Sequence, residues 1–226
     1  SLPLSEQINP LTYPPWEKEE LQNRSIFPST TETSSPESRS RIFQEFLNTL
    51  PKNDIMIYSD GSKLPHGNAG AGFVIFQLGR QIGSGASPLG RLCEVEDAEV
   101  HAAVQGIKYA ISLPSNRFSK DLWVFIDNYS VARKLLSKTL VLSSQTAYLE
   151  ALETIKLWKA RIRLPHIPEG EIKVRWVPSH SGIYGNELAD LKAKIVTTKA
   201  FVSFTATMAK DENGIPKKYL VASQRS

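Results

Sequence analysis

IMIYSD at residues 55–60 and LWVFID at residues 122–127 decide the architecture of this chain. Each is a continuous apolar run closed by an aspartate. A run of that length without alternation suits a central strand covered on both faces. If the two strands are parallel neighbours, Asp60 and Asp127 leave the sheet at the same end, where sites in open α/β sheets lie. Either aspartate alone reads more simply as the start of a turn, as DG and DN commonly are. The two together favour a site.

Working outward, AGFVIFQLGRQIGSGAS (71–87) reads as two strands joined at Leu78-Gly79-Arg80. From Val95 to Ser112 the spacing turns helical, with Val100, Ala103, Val104, Ile107 and Ile111 on one face. Helical spacing follows LWVFID from Ser130 to Leu136 and from Gln145 to Arg163. EIKVRWVP (171–178) alternates, with Ile172, Val174 and Trp176 inward and Lys173 and Arg175 outward, and Pro178 stops it as an edge strand. A last helix is expected from Tyr184 to Val196, with Leu188, Leu191 and Ile195 on its core face. The order is three strands, helix, strand, helices, strand, helix: an α/β domain that mixes a hairpin meander with parallel crossovers.

Before the compact part, residues 1–36 are rich in Pro, Ser, Thr and Glu and read as a linker. SPESRSRIFQEFLNTL (35–50) then places Ile42, Phe43, Phe46, Leu47 and Leu50 at helical spacing, with Ser35 and Pro36 as a start signal. The expected divisions are a linker over 1–36, a lead-in helix over 37–52, the catalytic-type domain over 53–197 and a basic tail over 198–226. The net charge of +4 permits an anionic partner without requiring one. Cys93 is the only cysteine, which excludes an intrachain disulfide and a four-cysteine zinc site and suits an intracellular, reducing compartment. No apolar run approaches the roughly 18 residues of a membrane span. A start at Ser1 without a signal pattern suggests a piece of a longer polypeptide.

Two further acids stand near the aspartate pair. Glu99 opens the helix DAEVHAAVQG, whose Ala102, Ala103 and Gly106 permit close approach to the sheet. On helix position alone it is a solvated glutamate favoured by the helix dipole. Asp190 borders the core stripe of the last helix, with Asn186 one turn before it. Four carboxylates with no evident lysine or arginine among them would repel one another, and a hard divalent cation such as Mg²⁺ relieves that. Other readings fail on the residues. GNAGAGF lacks the GK[ST] ending of a phosphate loop, and PSHSG has no nucleophile elbow around its serine.

YSDGS at Tyr58–Ser62, DAEVHAA at Asp97–Ala103, FIDNYSVA at Phe125–Ala132 and WVPSHSGIYGNELAD at Trp176–Asp190 resemble the four blocks of a type 1 ribonuclease H, in that family's order. The wording, SSQTAYLEAL (143–152) above all, is similar to ribonuclease H domains of retroelement reverse transcriptases, particularly non-LTR ones. The resemblance implies a ribonuclease H-like fold with a five-stranded mixed sheet in order 3-2-1-4-5 and helices on both faces. It implies hydrolysis of the RNA strand of an RNA–DNA hybrid by two Mg²⁺ ions (Mn²⁺ as substitute), roughly 3.5–4 Å apart, giving 5′-phosphate and 3′-hydroxyl ends. Asp60, Glu99, Asp127 and Asp190 are then the metal ligands, with Asp60 bridging both ions. His180 is the loop histidine, able to move a proton or help product leave because its ring changes charge near neutral pH. Gly61, Ser62, Asn128 and Asn186 are the implied substrate contacts, read through hybrid shape and 2′-hydroxyls. KARIR at Lys159–Arg163 is a short substitute for the family's basic handle. A reverse transcriptase domain in the parent polypeptide is the implied partner, and a monomer the default. Two alternatives stay open: an inactive hybrid-binding module, and an integrase- or transposase-type nuclease on the same sheet.

Overall fold

A computed structural model describes residues 35–65, 67–136 and 145–208; the expected linker up to residue 34 and the end of the expected tail lie outside them. In chain order the elements are α1 (Pro36–Thr49), β1 (Ile55–Lys63), β2 (Ala69–Gln77), β3 (Arg80–Gly90), α2 (Val95–Ser112), β4 (Leu122–Ile126), α3 (Tyr129–Leu136), α4 (Gln145–Ala160), β5 (Ile172–Trp176) and α5 (Tyr184–Met208). The fold is the α/β ribonuclease H-like one. Its five strands lie in the order β3-β2-β1-β4-β5, antiparallel across β1, β2 and β3 and parallel from β1 through β4 to β5.

Strand alternation divides the core into two layers. Ile55 and Ile57 of β1, with Val124 and Ile126 of β4, face α2, α3 and α4, which contribute Val100, Val104, Val131, Leu135 and Trp158. Tyr58, Val74 and Phe125 face the other way, onto Phe43 of α1, Ile183 just before α5 and Ala189 of α5. The hairpin turn takes positive φ at Leu78 (55°) and Gly79 (73°), the twist-matched geometry of a two-residue β-loop. The register that matters most pairs Ser59 with Ile126. Asp60 and Asp127 each follow that pair by one residue, on adjacent parallel strands.

Helix α1 starts as its sequence predicts. Ser35 caps it by accepting from the Ser38 N–H, and Pro36 takes the first turn. It then does more than lead in. Phe43 meets Phe125 edge-on at 5.1 Å between ring centres, and Phe46 meets Trp123 at 5.2 Å. The face of β5 expected to point outward is therefore partly covered: the Arg175 guanidinium lies 3.5 Å over the Phe46 ring, and Lys173 pairs with buried Asp121 at 2.5 Å.

Helix α5 departs from its expected core face. Leu191 and Ile195 are 52% and 41% exposed, whereas Ala189, Ala193 and Thr197 are buried. The cause lies on β2. A Cβ on Gly72 would stand 2.5 Å from the Ala193 backbone nitrogen, and one on Gly70 2.4 Å from the Thr197 hydroxyl. Two glycines opposite small residues bring the helix backbone onto the strand, so the large side chains turn out. The helix also continues to Met208, past the expected end at Val196.

Within KARIR, the central arginine is turned inward. Helix α4 ends at Ala160, and Arg161 is buried. Its guanidinium stacks on Trp158 at 3.5 Å and donates to the carbonyls of Trp158, Glu169, Ser119 and Lys120. It pins the end of α4 to the approach of β4.

Candidate metal centre

Asp60, within β1 just past its ladder with β4, and Asp127, just past the end of β4, stand side by side, and Glu99 reaches them from the first turns of α2. Glycine at 61 is what permits this: a Cβ there would stand 2.5 Å from the Glu99 backbone nitrogen. One oxygen of each of Asp60, Glu99 and Asp127 lies within 4.8 Å of the other two. Asp60 and Glu99 are buried, at 6% and 3% exposure. A second group brings His180, Glu187 and Asp190 within the same span of one another. Asp190 joins the two groups, since its carboxyl also meets that of Asp60.

Carboxylates this close and this dry cannot all stay charged. Burial, then the Asp127 charge, then Asp190 push the Asp60 carboxyl up to about 8. Glu99 is driven well above the usual carboxylate range by burial first and Asp60 next. Burial also raises Asp127, and the Asn186 hydrogen bond opposes it. The metal-free site therefore keeps protons at neutral pH.

These residues fit a divalent cation. Glu99 Oε2 is a buried oxygen without a hydrogen-bond partner, a costly condition for a carboxylate that a ligated ion would relieve. The trio of Asp60, Glu99 and Asp127 offers oxygen alone, the donor preferred by Mg²⁺, Mn²⁺ and Ca²⁺. The outer group adds an imidazole nitrogen.

The expected freedom from basic neighbours fails at Asp190. Lys194, one turn on, donates to Asp190 Oδ2 at 2.7 Å, and the same lysine also feels the Asp60 charge. Glu187 is a further acid that the sequence reading passed over. Its signal was the spacing of three to Asp190 on one helix, which puts both on the same side. His180 sits on a tight turn with φ 48°, followed by Gly182 at φ 70°. Left-handed backbone is uncommon away from glycine, and here it aims the exposed ring at Glu187 and Asp190.

The implied substrate contacts divide. Ser62 and Gly61 lie half-buried on β1 directly after Asp60. Asn128 caps α3, its side-chain oxygen accepting from the Val131 N–H at 3.2 Å. Asn186 is 2% exposed and gives its amide to Asp127 Oδ2 at 3.1 Å. In that position its amide supports a carboxylate of the trio.

Comparison with known proteins agrees with this geometry. No curated protein sequence matches the chain. Among solved structures, the N-terminal RNase H domain of a Mycobacterium tuberculosis protein, solved as a fusion with maltose-binding protein, is similar with a TM-score of 0.51 at 20% identity. The match covers 65% of this chain and 98% of that one. RNase H1 from Halobacterium salinarum gives 0.51 at 19% identity, again over 65% and 98% of the two chains. At such identities the likeness speaks for the fold. The RNase H family profile matches residues 52–197, more than half of the sequence and every acid of the two groups, and the chain belongs to the RNase H family.

Proposed function

We propose that this protein is an endoribonuclease that hydrolyses the RNA strand of RNA–DNA hybrids, leaving 5′-phosphate and 3′-hydroxyl ends. The observation that carries the reading is the trio of buried Asp60 and Glu99 with half-buried Asp127, three oxygens within 4.8 Å beside an Asp190 that extends the site toward solvent. Two Mg²⁺ ions, with Mn²⁺ as a substitute, would supply an activated water and charge stabilisation at the leaving oxygen. Asp60, at the junction of both groups, is the natural shared ligand, with Glu99 and Asp127 on the inner side and Asp190 on the outer. His180 lies at the mouth of the site, within reach of Asp190, where it can take up or deliver a proton. Gly61 and Ser62, on the strand that carries Asp60, line the approach for the hybrid backbone.

The wording of SSQTAYLEAL and VPSHSGIYGNELAD supports a parent polypeptide of the non-LTR retroelement kind, with a reverse transcriptase domain as partner and an intracellular place of action. Among the described residues no helix is long and apolar enough to cross a membrane.

A labelled RNA–DNA hybrid in Mg²⁺ and in Mn²⁺, beside duplex DNA, duplex RNA and an Asp127→Asn variant, tests the proposal. Cutting of the hybrid alone, lost in the variant, is the expected result. Cutting of duplex DNA would turn the reading toward an integrase-type nuclease, and tight hybrid binding without cutting toward a binding module.

A further inference from the structure

Asp127 carries a burden that its strand does not bear. Strand β4 ends at Ile126, and the last parallel ladder bond runs from the Val177 N–H to the Ile126 carbonyl at 3.0 Å. Strand β5 itself ends at Trp176. Beyond the Val177 bond, a side chain links the two segments. The Trp176 indole Nε1–H donates to the backbone carbonyl of Asp127 at 2.8 Å, while Asn186 of α5 holds its carboxylate. The indole is half-buried at the edge of the core that includes Val174 and Ile126, so packing fixes its orientation.

We propose that Trp176 is a positioning residue for the metal centre: its indole N–H ties β5 to the Asp127 carbonyl just past the β4–β5 ladder and holds the Asp127 main chain where its carboxylate can meet Asp60 and Glu99. The inference deepens the proposed function and rests on the metal centre it assumes. A ligand whose backbone is fixed loses less freedom when an ion binds, and that is where preorganisation enters affinity. The alternative role for Trp176 is core packing alone, and the two roles separate cleanly. Packing acts on folding stability. Positioning acts on cation affinity even when every molecule is folded.

The experiment compares Trp176→Phe, which keeps an aromatic ring and removes the donor, with Val174→Ala, a packing lesion on the same strand. Manganese(II) chloride is titrated by calorimetry into the metal-free full chain without nucleic acid, at a temperature where circular dichroism shows all variants folded. One net hydrogen bond predicts Mn²⁺ binding about three- to ten-fold weaker in Trp176→Phe, with Val174→Ala within about two-fold of wild type. Equal affinity of Trp176→Phe and wild type, or equal weakening in both variants, overturns the proposal. Hybrid cleavage by the wild-type chain is run alongside. Normal cleavage with no Mn²⁺ defect in Trp176→Phe sinks this inference alone, whereas the Mn²⁺ defect without hybrid cleavage by wild type sinks the proposed function alone.

Discussion

Asn186 sits at the residue scale where two roles compete. Its place in the NELAD block suggests a hand held out to substrate, while its burial and its bond to Asp127 Oδ2 make it a support for a ligand. The roles differ in what they do to kinetics. A substrate contact made equally in ground and transition states, once removed, raises KM and spares kcat. A carboxylate left without its donor binds cation less well and turns in its pocket, typically at a cost of roughly 10- to 100-fold in metal affinity or activity. Asn186→Ala is therefore expected to lower kcat by about that factor, to raise the Mg²⁺ needed for half-maximal rate, and to leave KM for the hybrid within about two-fold. Steady-state kinetics at several Mg²⁺ concentrations checks this. A raised KM at unchanged kcat would return Asn186 to the substrate side.

At the element scale, α1 shows what a helix outside the matched family region can do. The family match begins at residue 52, yet Phe43 of α1 is 3% exposed and packs edge-on against Phe125, one residue before the strand end that delivers Asp127. Phe43→Ala is expected to destabilise the domain by about 3–5 kcal/mol, the usual range for a buried phenylalanine, seen as a lower urea midpoint at unchanged slope. A loss under about 1 kcal/mol would mean that α1 merely rests on the sheet. The amphipathic pattern of residues 42–50 made this helix legible in the sequence, and the apolar runs made β1 and β4 equally so. The face of α5 was not legible from its own residues. Leucine and isoleucine at helical spacing ordinarily mark the core, but the surface that α5 meets is set by Gly70 and Gly72, more than a hundred positions earlier. The same limit hid the role of Trp176, which acts on Asp127 through a contact that only the folded chain creates. Lys194, four residues after Asp190 on one helix, lay within reach of the local pattern, as the aspartates closing the two apolar runs did.

For the whole molecule, the cluster at the sheet end couples stability to both pH and metal. In the unfolded chain the carboxyls release their protons near ordinary values of about 4. In the fold, burial and mutual repulsion hold the protons on Asp60 up to about 8, and shift Glu99 and Asp127 in the same direction. Buried Asp54, at the far end of β1, is raised as well, by burial first. Between those pH values the folded state binds more protons than the unfolded one, so unfolding free energy must fall as pH rises from about 4 through about 8. The metal-free domain, kept in chelator, should accordingly show a lower urea midpoint at pH 8.5 than at pH 5.5. A saturating divalent cation should reverse most of that loss, because it replaces the departing protons at Asp60, Glu99 and Asp127 and binds only the folded chain. Cation binding should in turn release protons, and so tighten as pH climbs toward about 8. Chemical denaturation at the two pH values, with and without Mg²⁺, reads both effects at once. A midpoint in chelator that is flat or rises with pH would mean that the three carboxyls lie farther apart than 4.8 Å, or that Asp60 and Glu99 are wetter than their burial requires, and the argument for a cation at this end of the sheet would go with them.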